Sequence, residues 1–356
     1  MMTENLNRRL LERIVPFNDI FYRTCYLNAL IPIVKHFNKS ILHLLMNEII
    51  LYSYKNAEEK KILEYIPLKP LNNLLDEMGL KYIAKPESND LISDIRDAIT
   101  EERPVILWID CFYSPIRADM YQKHHWEHCI VVYGYDDDLQ LCNVIEHKNR
   151  DNLSYEAQTM KYQDILKCCK GYQEHLYSKI KMPVFMGFYL EREQNSAAGE
   201  ENLQDQLQGF KENMTGYQEV LYGGIESLKD YRRDFSRITG CQELLDQNME
   251  GMLTALNQAI NIKQVESYRL KLLFEDHKKL LELLGQIVMK WEYIRKVIAK
   301  YMYSSVYRKE TFTSAAEAIE QIYELELQFH RELFQLLGQA KTLGIVRRNL
   351  PVEEFF

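Results

Sequence analysis

The chain has 356 residues, 46% of them hydrophobic, which is enough for two domains that each bury a core. The 52 acidic residues outnumber the 44 basic ones, for a formal net charge of −8 at pH 7, and no basic block carries interleaved aromatic residues. We therefore expect no nucleic-acid partner. No stretch approaches the ~18 uncharged apolar residues of a membrane span, nor does the N-terminus hold a continuous apolar segment, which predicts a cytoplasmic protein without a membrane partner. The seven cysteines form no CxxC pair, which predicts reduced thiols and no metal site.

The first regular pattern in the chain is helical. Residues 25–100 mainly repeat apolar side chains three or four positions apart, as in Leu30, Val34 and Phe37. This is the spacing of a helix with one buried face. Pro32 interrupts the first of these helices and is expected to kink or shorten it.

Residues 103–190 show strand patterns instead. Four short runs are rich in β-branched and aromatic residues, and they read PVILWIDCFY, HCIVVYGY, LQLCNVIEH and PVFMGFYL. Such runs are typical of β-strands. The segments between them are polar and carry Pro or consecutive Asp, as hairpin and loop connections do. Helices followed by a mainly antiparallel sheet predict an α+β domain over residues 1–192.

Beyond Leu190 the strand pattern ends in the polar segment EREQNSAAGEEN, where we place a domain boundary. Residues 203–341 then carry four amphipathic stripes, and the longest runs from Leu280 to Tyr301 with apolar residues alternately four and three apart. Helices of this kind bury their stripes against each other. The pattern therefore predicts an all-α helical bundle over residues 203–345.

Cys25 is the first candidate for chemistry. It lies where a polar stretch gives way to the first helical pattern, so its sulfur is expected near the N-terminal end of a helix. The helix dipole and the free backbone N–H groups there favour a thiolate. A lone cysteine in such a place is more often a small buried hydrophobe, so the catalytic interpretation depends on a partner.

His128 is the candidate partner because it opens an apolar strand run 103 residues after Cys25. A cysteine on a helix followed by a histidine on a strand suits the layout of papain-like enzymes, in which the imidazole is the base for the thiol. The hairpin after His128 is expected to return residues 143–146 to its level. We prefer Glu146 as the carboxylate that orients the imidazole, with Asn143 as the amide alternative.

Three further residues belong to the predicted site. An oxyanion formed at the attacked carbonyl needs hydrogen-bond donors, which the backbone N–H of Cys25 and the side-chain amide of Asn18 would provide. Asp110 closes an apolar strand run, where a carboxylate tends to be partnered, and it is expected to order the site or to receive an amine. Asp110 and Tyr113 are the predicted substrate-binding residues.

The stretch PVILWIDCFYSPIRADMYQKHHWEHCIVVYGYDDD resembles the N-terminal domain of the butirosin-type acyltransferases. The family pattern is an apolar strand, Asp, an aromatic pair, Pro, a His that leads an apolar strand, and a Gly-Tyr-Asp turn. In this sequence the pattern falls on Asp110, Phe112-Tyr113, Pro115, His128 and Gly134-Tyr135-Asp136. The nucleophile position falls on Cys25, which is followed by Asn28.

These acyltransferases resemble the cysteine peptidases that trim double-glycine leaders from bacteriocins, so the resemblance implies a papain-like fold over residues 15–190. It also implies transfer of an acyl group from a carrier-protein thioester to an amine in secondary-metabolite assembly. Aminoglycoside side-chain attachment and the protease-like amide-forming enzymes of closthioamide-type nonribosomal pathways are examples. No cofactor is implied except the phosphopantetheine arm of the partner carrier protein.

The leading hypothesis is an amide-forming acyltransferase in antibiotic biosynthesis, in which Cys25 attacks an acyl thioester on a carrier protein and His128 moves the protons. A cysteine peptidase that cleaves a leader or small peptide would use the same pair. A noncatalytic protein whose helical half binds a partner is the alternative from another class. A separation of more than about 5 Å between Cys25 and His128 would favour that alternative.

Overall fold

The computed structural model describes residues 7–59, 61–147, 153–191 and 203–338. Within these ranges the chain is α+β, as the sequence predicts. It divides into two compact units. Residues 7–41 and 71–191 form the first unit, and residues 42–70 join residues 203–338 in the second.

The described residues hold nine strands, all paired antiparallel. They are β1 (Arg8–Leu10), β2 (Glu48–Tyr52), β3 (Leu63–Pro67), β4 (Leu80–Lys85), β5 (Val105–Asp110), β6 (Glu127–Asp136), β7 (Leu141–His147), β8 (Tyr155–Lys161) and β9 (Phe185–Leu190). Seven of them form one sheet in the order β4-β9-β5-β6-β7-β8, with β1 added beside the far end of β6. β2 and β3 form a separate hairpin.

The helices alternate with these strands in the first unit and follow one another in the second. They are α1 (Cys25–His36), α2 (Leu42–Met46), α3 (Leu71–Glu77), α4 (Leu91–Thr100), α5 (Tyr162–His175), α6 (Tyr177–Ile180), α7 (Leu203–Gly216), α8 (Gln218–Thr239), α9 (Gln242–Leu273), α10 (Lys278–Ser304) and α11 (Lys309–Gly338). A single turn of 3₁₀ helix follows β5 at Cys111–Tyr113. None of the helices in the described ranges combines the length and apolar character needed to cross a bilayer.

The four strand runs identified in the sequence correspond to β5, β6, β7 and β9, the strands that carry most of the sheet's buried side chains. The expectation that residues 25–100 are mainly helical was wrong for β2, β3 and β4. β8 was also missed. β4 and β8 are the two ends of the strand path. β8 exposes several polar side chains, and β4 is buried only at its first residue. Edge strands of this kind lack the continuous apolar run that marks a buried strand.

The second unit contains five helices in residues 203–338 rather than the four apolar stripes seen in the sequence, because α7 precedes them. Its core also includes the hairpin β2-β3, which the sequence analysis had assigned to the first domain. Arg269 of α9 contacts the segment 42–70, because its Nη1 donates to the carbonyl oxygens of Leu45 and Glu48 at 3.1 and 3.0 Å. The hairpin buries apolar side chains against the helices, which explains why it leaves the sheet unit.

The central strands of the sheet place the candidate site. Ile109 of β5 lies opposite His128 of β6, and Val131 of β6 lies opposite Ile145 of β7. This register brings the end of β7 toward the start of β6. α1 packs against β6. The N-terminus of this helix therefore lies near the first residues of β6 and the last residues of β7.

Candidate thiol active site

Cys25 is the first residue of α1, as the sequence predicts. Thr24 caps the helix, and its hydroxyl accepts a hydrogen bond from the backbone N–H of Leu27 at 3.3 Å. Buried Asn28 fixes the approach to the helix, because its amide donates to the carbonyl oxygens of Tyr22 and Thr24 at 3.0 and 2.7 Å and its carbonyl accepts from the N–H of Tyr22 at 3.1 Å. The thiol is therefore held at the positive end of the helix dipole.

His128 and Glu146 face each other across β6 and β7. Nε2 of His128 lies 3.0 Å from Oε1 of Glu146, and both side chains are buried. The charge of the carboxylate and a hydrogen bond to it both favour a protonated ring. Glu146 Oε1 also accepts a hydrogen bond from the backbone N–H of His147 at 2.8 Å. This bond fixes the carboxylate that was predicted to orient the imidazole.

The side chains of Cys25 and His128 interact, and each shifts the pKa of the other. The pKa of Cys25 lies well below its usual value. A hydrogen bond from the Cys129 thiol contributes most, burial opposes it, and the hydrogen bond and positive charge of His128 add to it. Burial also disfavours the charged form of His128, but the charge of Glu146 and the bond to Cys25 outweigh it and raise the pKa of His128 to about 10. The arrangement thus favours a thiolate paired with an imidazolium at neutral pH.

The other cysteines of the first unit behave differently. Burial raises the pKa of each of them, and they are Cys111, Cys129, Cys142, Cys168 and Cys169. All five are buried, whereas Cys25 is partly exposed. Cys129 therefore stays protonated, and its S–H group donates a hydrogen bond to the sulfur of Cys25. Of the cysteines in this unit, Cys25 is the one that combines thiolate character with exposure.

Sequence reasoning did not identify Arg117, His147 and Tyr155 as neighbours of this pair. Arg117 comes from the polar connection between β5 and β6, yet only 1% of it is exposed. His147 lies with its ring 4.9 Å from that of His128 and 4.8 Å from that of Tyr155. An apolar strand that ends in Glu-His does carry a signal for His147. No local signal distinguishes Arg117 from an exposed arginine in a loop.

The ligand atoms of His128, Glu146 and His147 lie within 4.8 Å of one another, a separation that would accommodate a metal ion. The guanidinium of Arg117 lies beside them, with Nη1 3.5 Å from Nε2 of His147 and 4.0 Å from Oε1 of Glu146. A fixed positive charge at this distance disfavours a divalent cation. We therefore assign no metal to the group.

Two of the predicted alternatives have other positions. Asn143 lies opposite Gly134, well along β6 from His128, so the hairpin returns Glu146 but not Asn143 to the imidazole. Asn18, the predicted oxyanion donor, clamps β8 instead: its amide donates to the carbonyl of Tyr155 at 2.9 Å and its carbonyl accepts from the N–H of Tyr155 at 2.7 Å. The backbone N–H of Cys25 is the other predicted donor.

The predicted substrate-binding residues belong to a second histidine cluster. The buried carboxylate of Asp110 lies 2.6 Å from Nδ1 of His125 and accepts the backbone N–H groups of Phe112 and Trp126 at 3.0 and 3.2 Å. The hydroxyl of Tyr113 lies 3.4 Å from His175, on α5. A substrate role for Asp110 and Tyr113 stays a prediction. Their observed contacts order the loop that leads into β6.

Residues 41–147 match the family model described as butirosin biosynthesis protein H, N-terminal. The match supports that family for the segment it covers. The match confirms the resemblance found in the sequence, and it contains His128, Glu146 and Arg117. It begins after Cys25, so the nucleophile position rests on the geometry of α1 and β6 rather than on the family model. No curated protein matches the chain.

Proposed function

We propose that this protein is a cysteine-dependent acyltransferase that forms an amide from a carrier-bound acyl thioester and an amine in antibiotic biosynthesis. One arrangement carries the proposal: Cys25 begins helix α1, and Nε2 of His128 lies 3.0 Å from the buried carboxylate of Glu146. The lowered pKa of Cys25 and the raised pKa of His128 agree with it. A thiolate that exists at neutral pH is the form that attacks acyl carbon. Cysteine at a helix start with histidine at a strand start also supports a papain-like arrangement, and the family match supports a biosynthetic reaction.

The first half of the proposed reaction forms an acyl-enzyme. The thiolate of Cys25 attacks the carbonyl carbon of the thioester, and the bond from that carbon to the phosphopantetheine sulfur breaks. The departing sulfur takes the proton of His128. The backbone N–H of Cys25 stabilises the oxyanion that forms in between. One thioester is exchanged for another, so this step needs no nucleotide.

The second half transfers the acyl group to an amine. The amine nitrogen attacks the carbonyl carbon of acyl-Cys25, and neutral His128 takes the proton that the nitrogen loses. The carbon–sulfur bond then breaks, which releases the amide and restores the thiolate and the imidazolium. Glu146 keeps the ring in place and stabilises its charge in both halves.

The alternatives use the same residues or none of them. A cysteine peptidase would pass through the same acyl-enzyme but deliver it to water. A noncatalytic partner-binding protein was expected to keep Cys25 far from His128, and the mutual influence of the two groups on each other's pKa supports the catalytic alternative. The description of the matching family, a butirosin biosynthesis protein, favours transfer to an amine over proteolysis.

The test is to incubate the protein with acetyl-pantetheine and with an acetylated carrier protein, and to follow intact mass before and after adding a primary amine. We expect an acetyl adduct on Cys25 that disappears as the amide forms. Cys25→Ala should give no adduct, and Cys241→Ala, which replaces the other partly exposed cysteine, should react normally.

Three outcomes would contradict the proposal. An adduct that persists in Cys25→Ala would remove Cys25 from the reaction. Loss of the adduct to water at the same rate with and without amine would indicate a hydrolase. A Cys25 thiol that reacts with neither thioester would favour a noncatalytic protein.

A further inference from the structure

Arg117 is a buried charge for which the reaction as described has no use. Its side chain is 1% exposed although it belongs to a polar connection between β5 and β6. Burial of an unpaired guanidinium costs several kcal/mol, so such a group persists only where it is paired. One side of the group is paired by Asp119: Nε and Nη2 donate to its two carboxylate oxygens at 3.0 Å each.

The other side of the guanidinium faces the candidate site. Nη1 lies 3.6 Å from the sulfur of Cys111, 3.5 Å from Nε2 of His147 and 4.0 Å from Oε1 of Glu146. The same Oε1 is 3.0 Å from Nε2 of His128. Glu146 is therefore placed between two cations, one titratable and one permanent, and Asp119 holds the permanent one by a planar two-point contact.

The balance of charge shows what Arg117 contributes. With Cys25 as thiolate and Glu146 ionised, the site holds two negative charges against one on His128. Removal of a nearby positive charge raises the pKa of every acid in such a cluster. Without Arg117 the cluster would take up a proton more readily, and a proton on the sulfur of Cys25 would end the thiolate–imidazolium pair.

We propose that Arg117, held by Asp119, is a positioning residue whose guanidinium fixes the carboxylate of Glu146 against His128 and thereby maintains the charge pair of Cys25 and His128. The proposal rests on the proposed function only in taking Cys25 as the nucleophile. The guanidinium of Arg117 faces Glu146 rather than the sulfur of Cys25 or the imidazole of His128. It therefore acts through Glu146.

Four other titratable groups around this pair are buried, and each comes from a different element. They are Cys111 after β5, Cys129 on β6, His147 on β7 and Tyr155 on β8. Burial raises the pKa of both cysteines and of Tyr155, so these three are neutral near pH 7. They add no positive charge that could replace that of Arg117.

The experiment measures how fast iodoacetamide alkylates Cys25 as a function of pH, with peptide mass spectrometry to assign the modified cysteine. The reagent needs only the thiolate and no acyl substrate, so the result stands even if acyl transfer fails. The full-length protein is compared with Arg117→Met, Arg117→Lys and Asp119→Asn, and the melting temperature of each variant is recorded.

We expect Arg117→Met to move the pH midpoint of alkylation upward by about one unit. Arg117→Lys keeps the charge and should restore a midpoint near that of the unaltered protein. Asp119→Asn leaves the guanidinium unneutralised and should move the midpoint downward. Opposite shifts of the alkylation midpoint in Arg117→Met and Asp119→Asn are not expected of residues that only fill space.

A folded Arg117→Met protein with an unchanged midpoint would overturn the proposal, since a merely structural arginine would lower the melting temperature and leave the titration alone. If Arg117→Met does not fold, the partly exposed Asp119 decides. A midpoint in Asp119→Asn that stays in place or rises would then overturn the proposal.

Discussion

Two buried histidines of this protein each lie beside a glutamate, yet they have opposite protonation preferences. In the sheet unit, Nε2 of His128 is 3.0 Å from Glu146, and the pKa of His128 is raised to about 10. In the helical unit, Nδ1 of His330 is 3.5 Å from Glu326, and burial lowers the pKa of His330. Burial is the largest influence on both rings, so the neighbouring charges make the difference.

The distance from each glutamate to its permanent cation explains the contrast. Nζ of Lys263 lies 2.6 Å from Oε1 of Glu326 and repels a proton on His330. The guanidinium of Arg117 stays 4.0 Å from Glu146 and is paired with Asp119. The charge of Glu326 favours a proton on His330, but Lys263 opposes it and burial prevails. At His128 the charge of Glu146 and the bond to Cys25 outweigh burial.

The two networks also differ in what they hold. In the helical unit, Glu326 on α11 accepts the hydroxyl of Tyr52 on β2 at 2.6 Å, and Lys263 on α9 bonds Glu326 and Glu266 at 2.6 Å each. These bonds join the hairpin to two helices that follow about two hundred residues later in the chain. The helical network is closed on itself and structural. The network in the sheet unit directs its charge at a sulfur.

The largest expected effect comes from deleting the helices of the second unit. Deletion of residues 198–356 takes away the helices against which β2 and β3 bury their apolar side chains. We expect this variant to aggregate, because the hairpin then exposes a contiguous apolar surface. Size-exclusion chromatography measures it.

A second deletion variant, in which residues 42–70 are also replaced by a flexible linker, is the matched control and should aggregate less. Equal aggregation of the two variants would show that the hairpin is not the exposed surface. Recovery of a monomeric protein from the first deletion would contradict the assignment of the hairpin to the helical unit.

Within the site, His128→Ala should lower the rate of acyl transfer by about 10³- to 10⁴-fold, because the thiolate loses both its proton donor and its counter-charge. Glu146→Gln should cost less, since an amide still holds the ring. Asn143→Ala lies on the same strand opposite Gly134 and should be nearly silent. Steady-state kinetics with an acylated carrier protein give the ranking. A severe Asn143→Ala with a silent Glu146→Gln would instead make Asn143 the orienting residue.

In the helical unit, Lys263→Met removes the cation that neutralises Glu326. We expect the pKa of His330 to rise toward the behaviour of His128, and the free energy of unfolding to fall by about 3–5 kcal/mol because two glutamates stay buried. Urea unfolding and an NMR titration of the imidazole measure the two effects. Lys279→Met breaks an exposed pair with Glu332 and should cost less than about 1 kcal/mol. An equal loss of unfolding free energy in the two variants would show that the buried network stabilises the protein no more than an exposed ion pair does.

The smallest effect is on the pH dependence of stability. A histidine whose folded pKa is raised contributes stability below its unfolded value of about 6.5, and this contribution is lost as pH rises through about 10, as at His128. His330, with a lowered pKa, instead loses stability as pH falls below about 6.5. His330→Gln should therefore flatten the acid side of the curve and His128→Gln the alkaline side. Urea unfolding across this range checks both signs, and an exchange of the two effects would refute the comparison.

The sequence by itself determined the features that depend on neighbours along the chain. The apolar spacing of α1 and the polar residues before it place Cys25 at a helix start, and the runs that became β5, β6, β7 and β9 predict the α+β class. Glu146 could be predicted from the sequence for the same reason, because one hairpin joins it to His128. Local spacing and short turns carry this information.

Only the tertiary structure decided which distant residues meet. Arg117 and His147 join the site from a loop and a strand end. The segment 42–70, which contains the hairpin β2-β3, packs with helices far along the chain. Asn18 was predicted to serve the oxyanion, but its amide satisfies the backbone of Tyr155. The physical reason is the same in each case. A buried polar group must find a partner wherever the packing provides one, and no periodicity in the sequence records that choice.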